Sequence, residues 1–149
     1  MSRYLAIDHG SKRVGLALSD PMKIIAKPYK TITYNNLVDL FNLLIIIIKE
    51  EDVECIVLGL PLGMKGQETT QTKNVLEFKE KLKLKIQIPI ILQDERLSSL
   101  SAEKSLIQQK VKTGHNKSHI DKTAAAIFLQ QFLDTNRLLF HFLIDHLFI

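Results

Sequence analysis

The stretch Arg3-Tyr4-Leu5-Ala6-Ile7-Asp8-His9-Gly10-Ser11-Lys12-Arg13-Val14-Gly15-Leu16-Ala17-Leu18-Ser19 decides the fold. Residues 3–8 are short, apolar and end on a charge. Gly10-Ser11-Lys12 is turn chemistry, and residues 13–19 return to alternating small and apolar side chains, so the segment predicts a β-hairpin. A third strand is expected over about 24–33. Pro28 interrupts it, which suits an edge strand or a bulge because proline cannot donate to a ladder.

Beyond the hairpin the period changes. Leu37, Leu40, Phe41, Leu44, Ile45 and Ile48 recur at i, i+3, i+4 and i+7, the mark of a helix with one buried face. Asn35 or Asn36 suits its N-cap. Cys55-Ile56-Val57-Leu58 reads as a buried strand that stops at Gly59-Leu60-Pro61. A polar loop holding Gly63 and Gly66 leads to a second helix over about 70–84. Residues 89–92 form another buried strand, stopping at Gln93-Asp94-Glu95-Arg96. A third helix, capped by Ser98 or Ser99, is expected to run to about 109. A basic loop over 110–118 precedes a last helix over about 119–134. Three consecutive strands followed by alternating helices and strands predict a mixed α/β sheet. The two later strands need crossover helices, so they run parallel to the first.

The bulk numbers suit one compact domain. The chain has 149 residues, 46% hydrophobic and 24% charged, close to ordinary globular usage. A net charge of +4 is compatible with attraction to a phosphate backbone without requiring it. Cys55 is the sole cysteine, so an intramolecular disulfide and a thiolate zinc cluster are excluded, in keeping with a reducing cytoplasm. The strand-like start, carrying Asp8, Lys12 and Arg13, does not read as a secretory leader. The apolar run 43–48 falls far short of the roughly 18–20 residues a membrane span needs.

The placement of the carboxylates carries the chemistry. Asp8 ends the first strand, and Asp94 and Glu95 end the last. Ligands of open α/β sheets gather outside the carboxyl ends of parallel strands, so these acids are expected at one rim. Asp121 is expected in the first turn of the last helix. The residues three, four and seven positions on are Ala124, Ala125 and Phe128, so it points along the apolar face towards the sheet. Any one of these acids alone is better read as a turn, ion-pair or helix-dipole residue; the joint pattern favours catalysis. Converging carboxylates repel, and a divalent cation relieves the repulsion. Oxygen donors without thiolates select Mg²⁺ or Mn²⁺, with Asp8, Asp94, Glu95 and Asp121 as the candidate ligands. Two such ions roughly 4 Å apart can activate water and stabilise the leaving oxygen of a phosphodiester. Lys12, Arg13, Lys65, Arg96, Lys117 and Lys122, with Lys110 and Lys112, are placed to hold a polyanion by contacts that carry no sequence information. Gly59, Gly63 and Gly66 are chiefly turn chemistry, and His9, His115 and His119 receive no role.

Four segments resemble one family. Residues 6–20, Ala6-Ile7-Asp8-His9-Gly10-Ser11-Lys12-Arg13-Val14-Gly15 onward, resemble the opening of the YqgF family, also called RuvX, a Holliday junction resolvase family. Val57-Leu58-Gly59-Leu60-Pro61-Leu62-Gly63-Met64-Lys65-Gly66 resembles its second motif. Asp94-Glu95-Arg96-Leu97-Ser98-Ser99 with Ala102 resembles its third. Residues 117–133, with Asp121, Ala124, Ala125 and Leu129, resemble its fourth. All four fall in order between about residues 3 and 134. The resemblance implies a ribonuclease H-like fold, a mixed five-stranded sheet flanked by helices. It also implies a bacterial cytoplasmic nuclease with Asp8, Glu95 and Asp121 as its catalytic acids. The role implied is maturation of the 5′ end of pre-16S ribosomal RNA, or cleavage of Holliday junctions.

Residues 1–136 are read as the nuclease domain and 137–149 as an apolar extension that could lengthen the last helix, cover a sheet face or mediate dimerisation. The partner expected is nucleic acid, as structured RNA or branched DNA, with no membrane; the chain is a monomer or a homodimer. Two competing functions have clear discriminators. An actin-like ATPase needs two such domains, for which the chain is too short. A nucleic-acid-binding transcription accessory domain would keep its function in Asp8→Asn, whereas a metal-dependent nuclease would not.

Overall fold

A computed structural model describes residues 2–96 and 117–147, with nothing stated for the side chains of 117–119, 140 and 141. The elements in chain order are β1 (Arg3–His9), β2 (Arg13–Ser19), β3 (Ala26–Thr33), α1 (Leu37–Glu50), β4 (Val53–Leu60), α2 (Thr70–Lys83), β5 (Ile90–Asp94) and α3 (Lys117–Leu147). They build a five-stranded sheet in the order β3-β2-β1-β4-β5. β1, β2 and β3 pair antiparallel, while β4 runs parallel to β1 and β5 parallel to β4. β3 is an edge strand, and its register slips where Leu16 faces Lys30 but Ala17 faces Pro28. The bulge falls beside the proline, where a ladder hydrogen bond is already missing.

Side chains alternate between the two faces of each strand, and the sheet divides its core accordingly. Leu5, Ile7, Leu16, Ile56 and Leu58 pack with Leu40, Phe41 and Leu44 of α1 and Val75, Phe78 and Leu82 of α2. Ala6, Ala17 and Val57 meet Ala125, Phe128, Leu129 and Phe132 of α3 on the other face. Each large side chain fully buried this way contributes about 1.5–3 kcal/mol relative to exposure. The small residues facing α3 let that helix sit close to the sheet.

The helix starts follow local chemistry. Of the two candidate caps, Asn36 is the one used: its side chain accepts from the Asp39 N–H at 2.9 Å. Thr69 caps α2 in a reciprocal pair with Thr72. Three sequence expectations shift. α3 is already helical at Lys117, not first at His119, so Lys117 and Ser118 are helical rather than loop, and Asp121 lies two residues further in than expected, just past the first turn. α3 also runs on to Leu147 instead of ending near Asp134. No glycine or proline occurs between Lys117 and Leu147 to stop it. β5 starts one residue later than expected and ends two later, at Asp94. The expected helix over about 98–109 and most of the basic loop, including Lys110, Lys112 and His115, lie outside the described residues. Among the described residues no helix is long and apolar enough to cross a membrane.

Candidate active site

The carboxyl ends of β1, β4 and β5 and the N-terminal part of α3 meet at one rim of the sheet. Asp8 stands on β1 with Ala6, so its side chain shares the α3 face. The two consecutive acids have different surroundings. Glu95 follows Asp94 at the strand end, and a Glu95 carboxylate oxygen and the Phe128 ring fill the space above Gly59. A Cβ at Gly59 would lie 2.3 Å from that oxygen and 2.8 Å from the ring, so only glycine admits Glu95 there.

Asp121 is brought in by a second glycine. Gly15 lies opposite Asp8 in the β1–β2 ladder. A Cβ at Gly15 would lie 2.3 Å from the carbonyl carbon of Asp121, 2.5 Å from its oxygen and 2.7 Å from the Lys122 nitrogen. The helix backbone therefore rests directly on the strand beside Asp8. Arg13, two residues earlier on the same face, donates from Nε to Asp121 Oδ2 at 2.9 Å and fixes the carboxylate. Ala124, Ala125 and Phe128 are buried on that side of α3, as their spacing predicts.

The electrostatics show how tightly these acids are grouped. Burial pushes the Asp8 carboxyl well above the ordinary carboxylate range. The charges of Glu95 and Asp121 push it further, and a hydrogen bond to Glu95 retains its proton. Burial also raises Glu95. The bond from Asp8 opposes that rise, and the charges of Asp94 and Asp121 add to it. Burial and mutual charge thus both disfavour simultaneous ionisation of Asp8 and Glu95. Asp94 differs: against a desolvation that raises it, side-chain and backbone hydrogen bonds from Arg96 hold it below its ordinary value. Arg96 Nε and Nη2 both lie 2.7 Å from Asp94 Oδ2.

The structure therefore brings Asp8, Glu95 and Asp121 together and ties Asp94 to Arg96. Among the described residues no set of three His, Cys, Asp or Glu side chains is already arranged to hold a metal ion. The donor set is nonetheless all oxygen, and burial and neighbouring charge raise the pKa of two of its members. A divalent cation would offset that repulsion. Asp8, Arg13, Asp121, Lys12 and the Gly10-Ser11 turn line a cavity of about 130 Å³. Lys12 is exposed at its edge. Across the rim, Arg96 Nη1 reaches the Met64 carbonyl at 3.5 Å, fastening β5 to the glycine loop that displays the exposed Lys65. Gly66 of that loop has φ +82°, a left-handed conformation that favours glycine. Lys122 is half-buried in α3, and only the helical placement of Lys117 is described.

Gly15 and the pairing of Arg13 with an acid 108 residues away escape the reading of the sequence. A glycine within a strand is itself a signal of close backbone approach, and Gly15 carried it. The partner of Arg13 had no such signal. His9, given no role, stacks on Phe78 with ring centroids 4.4 Å apart. Burial lowers its pKa, so the imidazole is neutral at pH 7.

Known proteins resemble this chain in sequence and in fold. Residues 2–135 match the family described as "RuvX: Holliday junction resolvase". A protein of Desulforamulus reducens is 44% identical over 133 residues, covering 89% of this chain and 97% of that protein. One from Maridesulfovibrio salexigens is 42% identical over 131 residues, covering 88% and 97%. Both bear the name "Putative pre-16S rRNA nuclease". Among solved structures, T. thermophilus RuvC in complex with a Holliday junction substrate superposes with a TM-score of 0.56 at 12% identity, covering 92% of this chain and 96% of that one. The Fowlpox virus resolvase with Holliday junction DNA gives 0.55 at 10% identity, covering 89% and 97%. At such identities the likeness is one of fold, the five-stranded ribonuclease H-like sheet. With the family matched from β1 through most of α3, this chain belongs to the RuvX family and is a nuclease.

Proposed function

We propose that this nuclease is metal-dependent, acts in the cytoplasm on the 5′ end of pre-16S ribosomal RNA, and uses Asp8, Glu95 and Asp121 as its catalytic acids. The observation that supports the residue assignment is the room that Gly15 and Gly59 leave for Asp121 and Glu95 beside Asp8. Three acids distant in sequence meet at one rim, and burial keeps two of them from both ionising unaided. Asp8 and Glu95 would hold Mg²⁺ or Mn²⁺, joined by Asp121 on leaving Arg13. Asp94 reinforces the site from its pairing with Arg96. When bound, the cation supplies Lewis acidity for activating water and offsets charge on the phosphate.

The chain's own residues supply positioning. Gly15 and Gly59 set the approach of Asp121 and Glu95 to Asp8. Lys12, Arg13, Lys65, Arg96, Lys117 and Lys122 hold the phosphate backbone around the acids, and the start of α3 presents its positive dipole end to the same rim. The attacking water adds to phosphorus as the bond to the leaving oxygen breaks; the water's proton passes to solvent or to a carboxylate of the pair.

The decisive experiment is cleavage of a pre-16S leader by purified wild type and Asp8→Asn, with binding measured alongside. Cleavage should fall by at least about 100-fold with binding retained, because one carboxylate leaves while the cationic contacts stay. Undiminished cleavage by the variant would overturn the assignment. The family description favours a second reading, resolution of branched DNA. Faster cleavage of a four-way junction than of the leader, by a stable homodimer with paired sites, would select it; a monomer that prefers the leader would select RNA processing.

A further inference from the structure

Behind the acids lies a second cavity, of about 290 Å³, bounded by the N-terminal end of α1 and by residues 74–81 of α2. It shares His9 and Ser11 with the cavity that holds Asp8 and Asp121, so the two adjoin around the end of β1. Its walls include the exposed amides of Asn35 and Asn74 and the hydroxyls of Ser11 and Tyr34. Its charged members, Glu77 and Lys81, neutralise each other at 3.0 Å.

The geometry points to this cavity as the subsite for one unpaired nucleobase next to the phosphodiester held at Asp8; the inference rests on the nuclease reading above. Four observations support it. Its volume is near the lower end of small-molecule sites, roughly 300 Å³, which suits one planar ring system rather than a folded partner. Its lining is polar yet carries no unpaired cation, so it favours a neutral hydrogen-bonding group over a phosphate. Amides offer a donor and an acceptor side by side, the pattern that reads a base edge. Finally, Asp8 and His9 are consecutive on β1 and face opposite sides of the sheet, about 3.3 Å apart along the strand. A polynucleotide crossing the rim there would set a phosphate on the Asp8 side and a neighbouring base on the His9 side.

A base lodged against Asn35 and Asn74 has its hydrogen-bonding edge occupied, so it cannot also be paired in a duplex. The preferred cleavage position is then a single-stranded nucleotide or a frayed end, as for most RNA recognition that reads bases. The test uses the full chain labelled with ¹⁵N and titrated with each ribonucleoside 5′-monophosphate and, separately, with ribose 5-phosphate. The side-chain amide signals of Asn35 and Asn74 should shift saturably with at least one nucleotide at millimolar concentration and stay still with ribose 5-phosphate. The exposed double substitution Asn35→Ala with Asn74→Ala should weaken that nucleotide about tenfold, two neutral hydrogen bonds being lost, with an unchanged melting temperature. Amides that do not move, or that move equally with ribose 5-phosphate, overturn the subsite while leaving the nuclease reading intact. Undiminished cleavage by Asp8→Asn strikes that reading instead, and nucleotide-specific shifts would then stand as base binding without an adjacent reaction.

Discussion

Gly15→Ala adds one methyl group at the point where the active site is held together. Its Cβ would stand 2.3 Å from the Asp121 carbonyl carbon, against the 3.4 Å of ordinary contact, so the backbone must separate by about 1.1 Å. The obstacle is helix and strand backbone, which cannot turn aside as a flexible side chain would. β2 is held by β1 and β3 on either side, so α3 moves and takes Asp121 with it. A displacement near 1 Å at a catalytic group costs on the order of 100-fold in rate. Overpacking costs about 1–3 kcal/mol of stability, which for a chain of this size lowers the melting temperature by roughly 2–12 °C. The assay is kcat on a cleavable leader RNA, with thermal unfolding and Mn²⁺ binding measured on the same preparation. A variant that unfolds near the wild-type temperature and cleaves within twofold of it would refute the claim that backbone contact at Gly15 positions Asp121.

Further outcomes are expected. Gly59→Ala should lower cleavage without altering nucleic-acid affinity, because its Cβ would displace the Glu95 carboxylate and the Phe128 ring rather than a cationic contact; equal losses of both in filter binding and kinetics would contradict this. In EDTA, the folded state holds protons on Asp8 and Glu95 more tightly than the unfolded chain does, since both pKa values are raised. Their contribution is therefore fully present below the unfolded values of about 4 and is lost as pH rises through the folded ones. The melting temperature of Asp8→Asn relative to wild type should climb with pH over that window, and saturating Mn²⁺ should flatten the difference; a difference that shrinks with pH would reverse the sign. Removal of residues 137–149 should leave the melting temperature within a few degrees, because Leu138, Leu139, Phe142, Leu143 and Leu147 are 56–76% exposed; a large loss by calorimetry would show that the segment stabilises the domain.

Much of this arrangement can be read from residue order. Apolar runs that stop at Asp8 and at Asp94-Glu95 announce strand ends, and the i, i+3, i+4, i+7 row after Asp121 announces which way that acid points. Those signals are local, so a linear reading recovers them. Asp94 and Glu95 both read as candidate ligands from their place at the strand end, and the ion-pair alternative is local too, since Arg96 lies two residues from Asp94 and pairs with it. What the linear order hides are pairings over long separations: Arg13 with Asp121, and the absent side chain of Gly15 beneath a helix more than a hundred residues on. The length of α3 is left open by the sequence, where lengthening of the last helix is one of three readings of residues 137–149, and the structure has that one. Asp134-Thr135-Asn136 looks like a boundary, but nothing in it forbids helical backbone, and the apolar residues beyond carry the hydrogen bonding forward.

The uninterrupted α3 has a mechanical consequence. At about 1.5 Å per residue its 31 residues make a rod roughly 45 Å long, with Asp121 near one end and Leu147 at the other. Between them, Phe128, Leu129, Phe132 and Leu133 are wedged into the sheet as a clamp. Force or bulk applied at the distal tip is absorbed at that clamp before it reaches the acids. The far end is thus a handle: a fluorophore or affinity tag placed there can be gripped or pulled while the cutting edge stays undisturbed.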